Sequence, residues 1–216
     1  MLAHTSGLPD LELFDKLVAE NPDRIFENKE VIPVMKAAKT PLRFQPGENW
    51  SYNNFNYALL ALLVEKLSGQ KFEDYLKKNI FEPARMTRTY VRTSLINAQP
   101  TPNQAHHYTY PFLFSSEFIN VEKNFTNPFY KKTFYNHAFL GMSYVYSTTG
   151  DMLKFDAALY DGSLLKNEPL EEAFTPTKLN NGENNKIPSR TGSLGFGGLG
   201  SSFNGLGWFV LEDASA

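Results

Sequence analysis

The stretch Pro46-Gly47-Glu48-Asn49-Trp50-Ser51-Tyr52-Asn53-Asn54-Phe55-Asn56-Tyr57 leads into the clearest helix pattern of the chain. Its Pro-Gly pair is a strong turn signal. Apolar residues then recur at helical spacing, namely Tyr57, Leu60, Ala61, Val64 and Leu67. We expect them to form one broad inward face. Ser68-Gly69 supplies the signal that ends this helix.

Tyr52 and Asn54 stand two residues apart just before that helix. In an extended segment this spacing directs both side chains the same way. A phenol relays a proton to or from a nucleophile or leaving group if neighbouring cations lower its pKa, and a carboxamide binds a substrate carbonyl or ammonium. On the triplet alone, the simpler interpretation is that Tyr52 packs and Asn54 caps the helix.

Other helices are predicted on both sides of this segment. A weak pattern covers Leu11 to Ala19, followed by a stretch punctuated by Pro22, Pro33, Pro41 and Pro46, and a short helix begins at Phe72 and ends before Pro83. A further helix covers about Gly150 to Tyr160. Its predicted N-cap is Thr148, its capping-box partner is Asp151 and its buried stripe is Met152, Phe155 and Leu159. A last short helix starts after Asn167, with Pro169 in its first turn.

The rest of the chain carries weaker patterns. Residues 90–140 are rich in aromatic residues, Asn and Pro, which indicates a long surface excursion, and residues 180–207 are rich in Asn and Gly and indicate a loop. Leu206 to Leu211 resembles the beginning of a strand.

Composition excludes several classes of function. With 21 Lys and Arg against 23 Asp and Glu, the chain has no electrostatic reason to bind nucleic acid. The absence of Cys excludes disulfides, thiolate metal sites and a cysteine nucleophile. No stretch has the length of a membrane segment, and the first residues lack the pattern of a signal peptide.

Isolated motifs carry little weight. Ser68-Gly69-Gln70-Lys71 and Ser163-Leu164-Leu165-Lys166 match Ser-x-x-Lys, but neither serine begins a helix, as a serine activated by a lysine one turn later requires. The stretch 195–200 matches G-x-G-x-x-G without the strand and helix of a dinucleotide site, and Arg190-Thr191-Gly192 lies in loop composition. None of His4, His106, His107 and His137 has metal-ligand spacing, and only His137 is kept as a possible pocket residue.

Several segments, taken in order, resemble the serine β-lactamase-like hydrolases, the family of class C β-lactamases, penicillin-binding DD-peptidases and related esterases. The segments are Met1–Pro9 with its His-Thr-Ser-Gly, Pro46–Gly69 with Trp-Ser-Tyr-Asn-Asn, Ile80–Thr89, Tyr146–Met152 and Gly205–Trp208. The resemblance covers nearly the whole chain and is weakest over residues 95–135.

The resemblance implies an α+β fold in which this chain forms mainly the helical lobe. It implies an acyl-serine mechanism in which Tyr52 is the catalytic proton relay and Asn54 the substrate-binding contact. The substrate would be a small-molecule ester, peptide or β-lactam, and no metal or organic cofactor is implied. Relatives of this kind are often periplasmic or otherwise extracytoplasmic.

The sequence also departs from the family pattern. The Ser-x-x-Lys helix, expected upstream of Met1–Pro9, and the Lys/His-x-Gly strand, expected downstream of Gly205–Trp208, are absent. The Gly-Asp usual before Tyr146 is replaced by Gly141-Met142-Ser143-Tyr144. We therefore expect residues 1–216 to be a single incomplete domain, with a helical lobe over about 1–200 and the start of a sheet strand at about 205–212. Its terminal sheet strands would be largely missing, and residues 1–216 alone would be inactive.

A second interpretation belongs to a different class of function. The chain would be a non-catalytic helical binding or interaction domain derived from that family, and the aromatic residues between 106 and 146 would hold a ligand or partner.

Overall fold

The computed structural model describes residues 1–21, 23–92, 103–106, 108–109, 117–120, 137–188 and 201–212. Helices dominate this part of the chain. They are a 3₁₀ turn Leu11–Phe14 that runs into α1 (Asp15–Glu20), α2 (Asn28–Ala38), α3 (Asn54–Ser68), α4 (Phe72–Leu76) with a π-helical turn Lys77–Phe81, α5 (Thr149–Tyr160) and α6 (Asn167–Ala173).

The described strands are short and pair two by two. They are β1 (Phe26–Glu27), β2 (Tyr90–Val91), β3 (Tyr108–Thr109), β4 (Ile119–Asn120), β5 (His137–Ala138), β6 (Val145–Tyr146), β7 (Ser201–Asn204) and β8 (Phe209–Glu212). β1 pairs with β5 in parallel, whereas β2 with β6, β3 with β4 and β7 with β8 are antiparallel.

The main core is an aromatic cluster under the N-terminal end of α3. Phe14 contacts Phe26, Phe55 and Phe139 edge to face, with ring centroids 5.0–5.5 Å apart. Such contacts add to the stability gained from area burial alone. Because these rings come from the first turn, β1, α3 and the residue after β5, the cluster fixes the segment that precedes α3.

Residues 28–38 form a helix that the sequence analysis missed. Pro33 lies inside α2, where its ring and missing N–H normally disrupt a helix, so a stretch punctuated by proline gives no helix signal. A complete capping box stabilises its first turn: the Glu27 side chain accepts from the backbone N–H of Glu30, and the Glu30 carboxylate accepts from that of Glu27. Val31 of the same helix is buried in the core cluster.

α3 ends as predicted, but it already includes Asn54, and its inward face is rotated. Ser68 is its last residue and Gly69 follows with φ +68°, whereas Leu67, predicted to be buried, is 78 % exposed. The buried face consists of Phe55, Asn56, Ala58 and Ala61. Small side chains there allow Gly141 to approach so closely that a Cβ at Gly141 would lie 2.3 Å from the carbonyl oxygen of Tyr57.

α5 confirms its predicted N-cap and corrects its predicted stripe. Thr148 accepts a hydrogen bond from the Asp151 N–H at 3.2 Å. Of the predicted stripe, Leu159 is buried and Phe155 packs against the cluster of Phe81 and Met86, whereas Met152 is 48 % exposed. The buried positions are Asp151, Ala158 and Leu159. The carboxylate of Asp151, which binds groups outside the helix, takes the inward place that the apolar pattern gave to Met152.

The last described segment is a hairpin and only partly the expected loop. β7 occupies 201–204, where a loop was predicted, and β8 occupies 209–212, so residues 205–208 are the connection. The Gly-rich match at 195–200, Arg190-Thr191-Gly192 and His107 lie outside the described residues, as do large parts of 90–140.

Candidate active site

The segment Tyr52-Asn53-Asn54 enters α3 through a cap that the middle residue forms. Asn53 is extended (φ −151°, ψ 116°), and its side-chain oxygen accepts from the backbone N–H of Asn56 at 2.9 Å. Its amide also donates to the carbonyl oxygens of Leu8 and Pro9, at 2.7 and 3.1 Å. The simpler interpretation of Asn54 as the cap is therefore wrong. The side chain of Asn54 has a different partner.

That partner is the carboxylate of Asp10, which lies at the N-terminus of α3. It accepts from the backbone N–H of Asn54 at 3.0 and 3.1 Å, from that of Phe55 at 3.2 Å and from Asn54 Nδ2 at 3.0 Å. A carboxylate at this end satisfies free amides and interacts favourably with the helix dipole. Asp10 thereby fixes both the backbone and the amide group of Asn54.

Tyr52 and Asn54 line the same cavity, as their spacing predicts. The cavity has a volume of about 210 Å³, and its lining comprises His4, Tyr52, Asn54, Tyr57, Gly141, Met142, Asn204, Gly207 and Phe209. Tyr52 is 41 % exposed, so its side chain borders solvent. The arrangement brings a phenol and a carboxamide to one wall, together with residues from β7, β8 and the chain after β5.

A phenol that relays a proton needs neighbouring cations that lower its pKa, but the described cavity shifts the pKa of Tyr52 in the opposite direction. Burial, aided by the Asp10 carboxylate, raises the pKa of the Tyr52 phenol, and burial also raises the pKa of Tyr57. The described lining contains neither Lys nor Arg. Within this part of the chain the phenol is therefore a proton donor, and a lowered pKa would require a cation from elsewhere.

His4 is the pocket residue that the sequence analysis missed. It is 3 % exposed, its Nδ1 accepts from the backbone N–H of Asn53 at 3.0 Å, and burial lowers its pKa to about 4. Residue spacing gave no sign of this role, because His4 meets its partner 49 residues away. The sequence does place His4 in the Met1–Pro9 segment, but that segment supports the family resemblance and gives no role to the histidine. The role predicted for His137 stays a prediction, since its side chain lies outside the described part.

Asn204 and Tyr57 complete the described wall. Asn204 Oδ1 accepts from the Trp50 indole N–H at 2.6 Å, and its Nδ2 donates to the Trp208 carbonyl oxygen at 3.2 Å. The hydroxyl of Tyr57, which the helical pattern placed in an inward stripe, donates to the carbonyl oxygen of Leu2 at 2.8 Å. These bonds join the β7–β8 hairpin to the segment before α3 and the first residues of the chain to α3.

The Ser-x-x-Lys matches lie in the contexts expected of them. Ser68 is the last residue of α3 and Lys71 precedes α4, while Ser163 lies in the bend after α5 and Lys166 precedes α6. Neither serine begins a helix. Among the described residues, no group of three or more His, Asp or Glu is placed to hold a metal ion, and none of the helices has the length and apolarity to span a membrane.

Comparison with known proteins assigns the chain to a family. The family model Beta-lactamase matches residues 1–216, and the chain belongs to this family of β-lactamase-like serine hydrolases. Penicillin-binding protein 4* of Bacillus subtilis is 34 % identical over 187 residues, which are 85 % of this chain and 40 % of that protein. The predicted family membership is confirmed.

Solved structures confirm the α+β fold of this family. A penicillin-binding protein from Bacillus halodurans superimposes with a TM-score of 0.68 at 23 % identity, covering 100 % of this chain and 56 % of that one. A D-amino acid amidase from Ochrobactrum anthropi, complexed with L-phenylalanine amide, gives 0.65 at 21 % identity, covering 99 % and 53 %. The chain thus spans about half the length of these relatives or less.

Proposed function

We propose that residues 1–216 form the helical wall of the acyl-transfer pocket of a serine hydrolase that acts on an ester, a peptide or a β-lactam. The observation that carries the proposal is the joint placement of Tyr52 and Asn54 on one cavity, in a chain of this family. The enzyme would form an acyl-serine intermediate and hydrolyse it with water. The serine would come from outside these 216 residues, since neither described Ser-x-x-Lys match begins a helix.

Tyr52 would handle the proton of this reaction. Its raised pKa keeps the phenol protonated at neutral pH, which suits donation to the leaving group as the scissile bond breaks. The opposite role, acceptance of the serine proton, requires a cation that lowers the phenol pKa, and the described lining offers none. A lysine that accompanies the serine would supply that charge.

Asn54 would hold the substrate next to the phenol. A carboxamide has two N–H donors and one carbonyl acceptor, and the bond to Asp10 uses one donor. The remaining N–H and the oxygen suit a substrate carbonyl and a substrate N–H. Because Asp10 also holds the backbone of Asn54, the amide is oriented before the substrate arrives.

The first test uses the polypeptide of residues 1–216 alone. We expect no stable labelling by a fluorescent penicillin and no turnover of an activated ester above that of the Tyr52→Phe variant. Covalent labelling of the folded polypeptide would show that a nucleophile lies within these residues and would overturn that part of the proposal. Translation of the flanking DNA in all frames then shows whether a Ser-x-x-Lys helix is encoded beside them.

The second test uses the complete gene product that carries these residues and compares two tyrosines of one cavity. Tyr52→Phe should slow acylation about 10²–10⁴-fold, the range for a lost proton-transfer group. Tyr57→Phe, which removes a hydroxyl bound to the Leu2 carbonyl oxygen, is the matched control and should slow it less than about tenfold. Equal rates for the two variants would refute the role of Tyr52.

A further inference from the structure

His4 binds the chain on both sides of Tyr52. Its backbone carbonyl oxygen accepts from the N–H of Ser51 at 3.0 Å, and its side-chain Nδ1 accepts from the N–H of Asn53 at 3.0 Å. The second N–H belongs to the peptide that joins Tyr52 to Asn53. One histidine therefore holds the Trp50–Ser51 and Tyr52–Asn53 peptides, and the second of these restricts the direction of the Tyr52 Cα–Cβ bond.

The imidazole ring also contacts the tyrosine directly. Its centroid lies 4.5 Å from that of Tyr52 at an interplanar angle of 31°, and 5.3 Å from that of Tyr57 at 42°. The Trp50 ring approaches it edge on at 6.3 Å. With His4 only 3 % exposed, these aromatic neighbours restrict the imidazole to one orientation.

The backbone of His4 adopts a conformation that most residues avoid. Its φ is +56°, in the left-handed region, which costs a residue other than glycine on the order of 1 kcal/mol or more. Its N–H donates to the Met1 carbonyl oxygen at 3.0 Å, which closes a turn. Strained conformations of this kind persist where surrounding contacts determine them, and they concentrate at functional sites.

The protonation state of His4 favours a positioning role over a role in proton transfer. Nδ1 accepts a hydrogen bond, so the neutral ring carries its proton on Nε2. Burial keeps the ring neutral at physiological pH. His4 therefore supplies no positive charge to Tyr52, and its Nδ1 lone pair is already occupied by the Asn53 amide.

We propose that His4 is a positioning residue, whose neutral imidazole locks the Tyr52–Asn53 peptide and thereby aims the phenol into the cavity. This inference rests on the proposed function of Tyr52. It assigns to His4 no contact with reacting atoms and no proton in the reaction.

Two amide variants separate the Nδ1 acceptor from the ring. His4→Asn places an amide oxygen at about the reach of Nδ1, whereas His4→Gln places it at about the reach of Nε2, and both variants lose the ring contacts. Because Asn tolerates the left-handed φ of residue 4 better than Gln, the Ser51 amide, which donates to the backbone of residue 4, is the internal control. In the polypeptide of residues 1–216, we expect hydrogen exchange of the Asn53 amide, relative to that of the Ser51 amide, to be at least about tenfold faster in His4→Gln than in His4→Asn. Equal exchange in the two folded variants would overturn the proposed bond.

The functional test places the same variants in the complete gene product, with and without Tyr52→Phe. With Tyr52 present, His4→Gln should lower kcat about 10–100-fold with KM within about threefold, and His4→Asn should recover most of the loss. With Phe at 52, neither variant should lower kcat further, because His4 acts through the tyrosine. Equal losses in both backgrounds would overturn the inference, whereas wild-type kcat in Tyr52→Phe alone would overturn the proposed function instead.

Discussion

Helices α3 and α5 each begin with a side-chain cap and a buried carboxylate, but the carboxylates come from different places. At α3, Asn53 caps the helix and Asp10, 44 residues earlier, binds its first amides. At α5, Thr148 caps the helix, and the carboxylate of its own Asp151 binds the N–H of Arg88 and the Thr89 hydroxyl outside the helix and the Lys154 ammonium within it.

This difference accounts for why one helix end borders a cavity and the other forms a structural joint. The Asp10 carboxylate comes from a distant segment and binds the first turn of α3. The Tyr52 side chain therefore remains partly exposed beside the cavity. A carboxylate on α5 itself reaches outward and ties the helix to the chain at 88–89, where it is 2 % exposed. Similar capping chemistry therefore supports a candidate site in one place and stability in the other.

The joint at α5 offers the largest expected change in stability. Asp151→Ala leaves the Arg88 N–H and the Lys154 ammonium without their carboxylate, so we expect the free energy of unfolding to fall by about 3 kcal/mol. For a chain of this size, Tm should fall by roughly 6–12 °C. Asp156→Ala, at an exposed position of the same helix, is the control and should change stability by less than about 0.5 kcal/mol. If differential scanning calorimetry gave equal losses of Tm for Asp151→Ala and Asp156→Ala, the buried carboxylate would have no special role in stabilising α5.

The pH dependence of stability should reveal His4 at the α3 end. Burial lowers its pKa in the folded protein from 6.5 to about 4, so the unfolded chain binds the proton more readily. Stability should therefore rise by roughly 2 kcal/mol as pH increases from about 4 to 6.5, and level off above. The Asp10 carboxylate and the N-terminal ammonium, which act on His4 with opposite signs, remain in His4→Asn.

Chemical denaturation of the wild type and His4→Asn between pH 4 and 7 measures this component. The wild-type curve should be steeper over that interval, by the amount that His4 contributes. Parallel curves would mean that the imidazole is as easily protonated in the folded protein as in the unfolded chain. Asp151 acts at lower pH, because hydrogen bonds from Lys154, Arg88 and Thr89 outweigh burial and lower its pKa.

A smaller effect is expected from the carboxylate behind α3. Asp10→Asn keeps an acceptor for the helix amides but removes the charge that interacts with the helix dipole, so the unfolding free energy should fall by about 1 kcal/mol. Asp156→Asn, the same chemical change at an exposed position of α5, should be nearly neutral. A larger loss in the control would show that charge at the α3 terminus has no special value.

Local chemistry made parts of the two helices predictable from sequence. The Thr148 cap, the stop at Gly69 and the shared direction of Tyr52 and Asn54 each depend on residues within a few positions. The missed features depend on contacts between distant segments. Asp10 and His4 reach α3 from 44 and 49 residues away, and no periodicity encodes such contacts.

The apolar patterns failed where a buried polar group, a close backbone contact or a proline within the helix determined the outcome. In α5, the buried carboxylate of Asp151 displaced Met152 from the inward face. In α3, small residues face inward because Gly141 packs closely, and Leu67 turns to solvent. In α2, a capping box begins a helix that continues through Pro33, and Val31 is buried in the core. For α3 and α5, hydrophobicity located the helix but did not determine its rotation.

The most direct measurement of the central claim is a crystal structure of the complete gene product acylated by a penicillin or an ester inhibitor. The account predicts that the Tyr52 hydroxyl oxygen lies within about 3.2 Å of the acylated serine Oγ or the departing group, and that the Asn54 amide lies within the same distance of the bound acyl substituent. An acyl group bound in a different cavity, with both side chains out of hydrogen-bond reach, would contradict it.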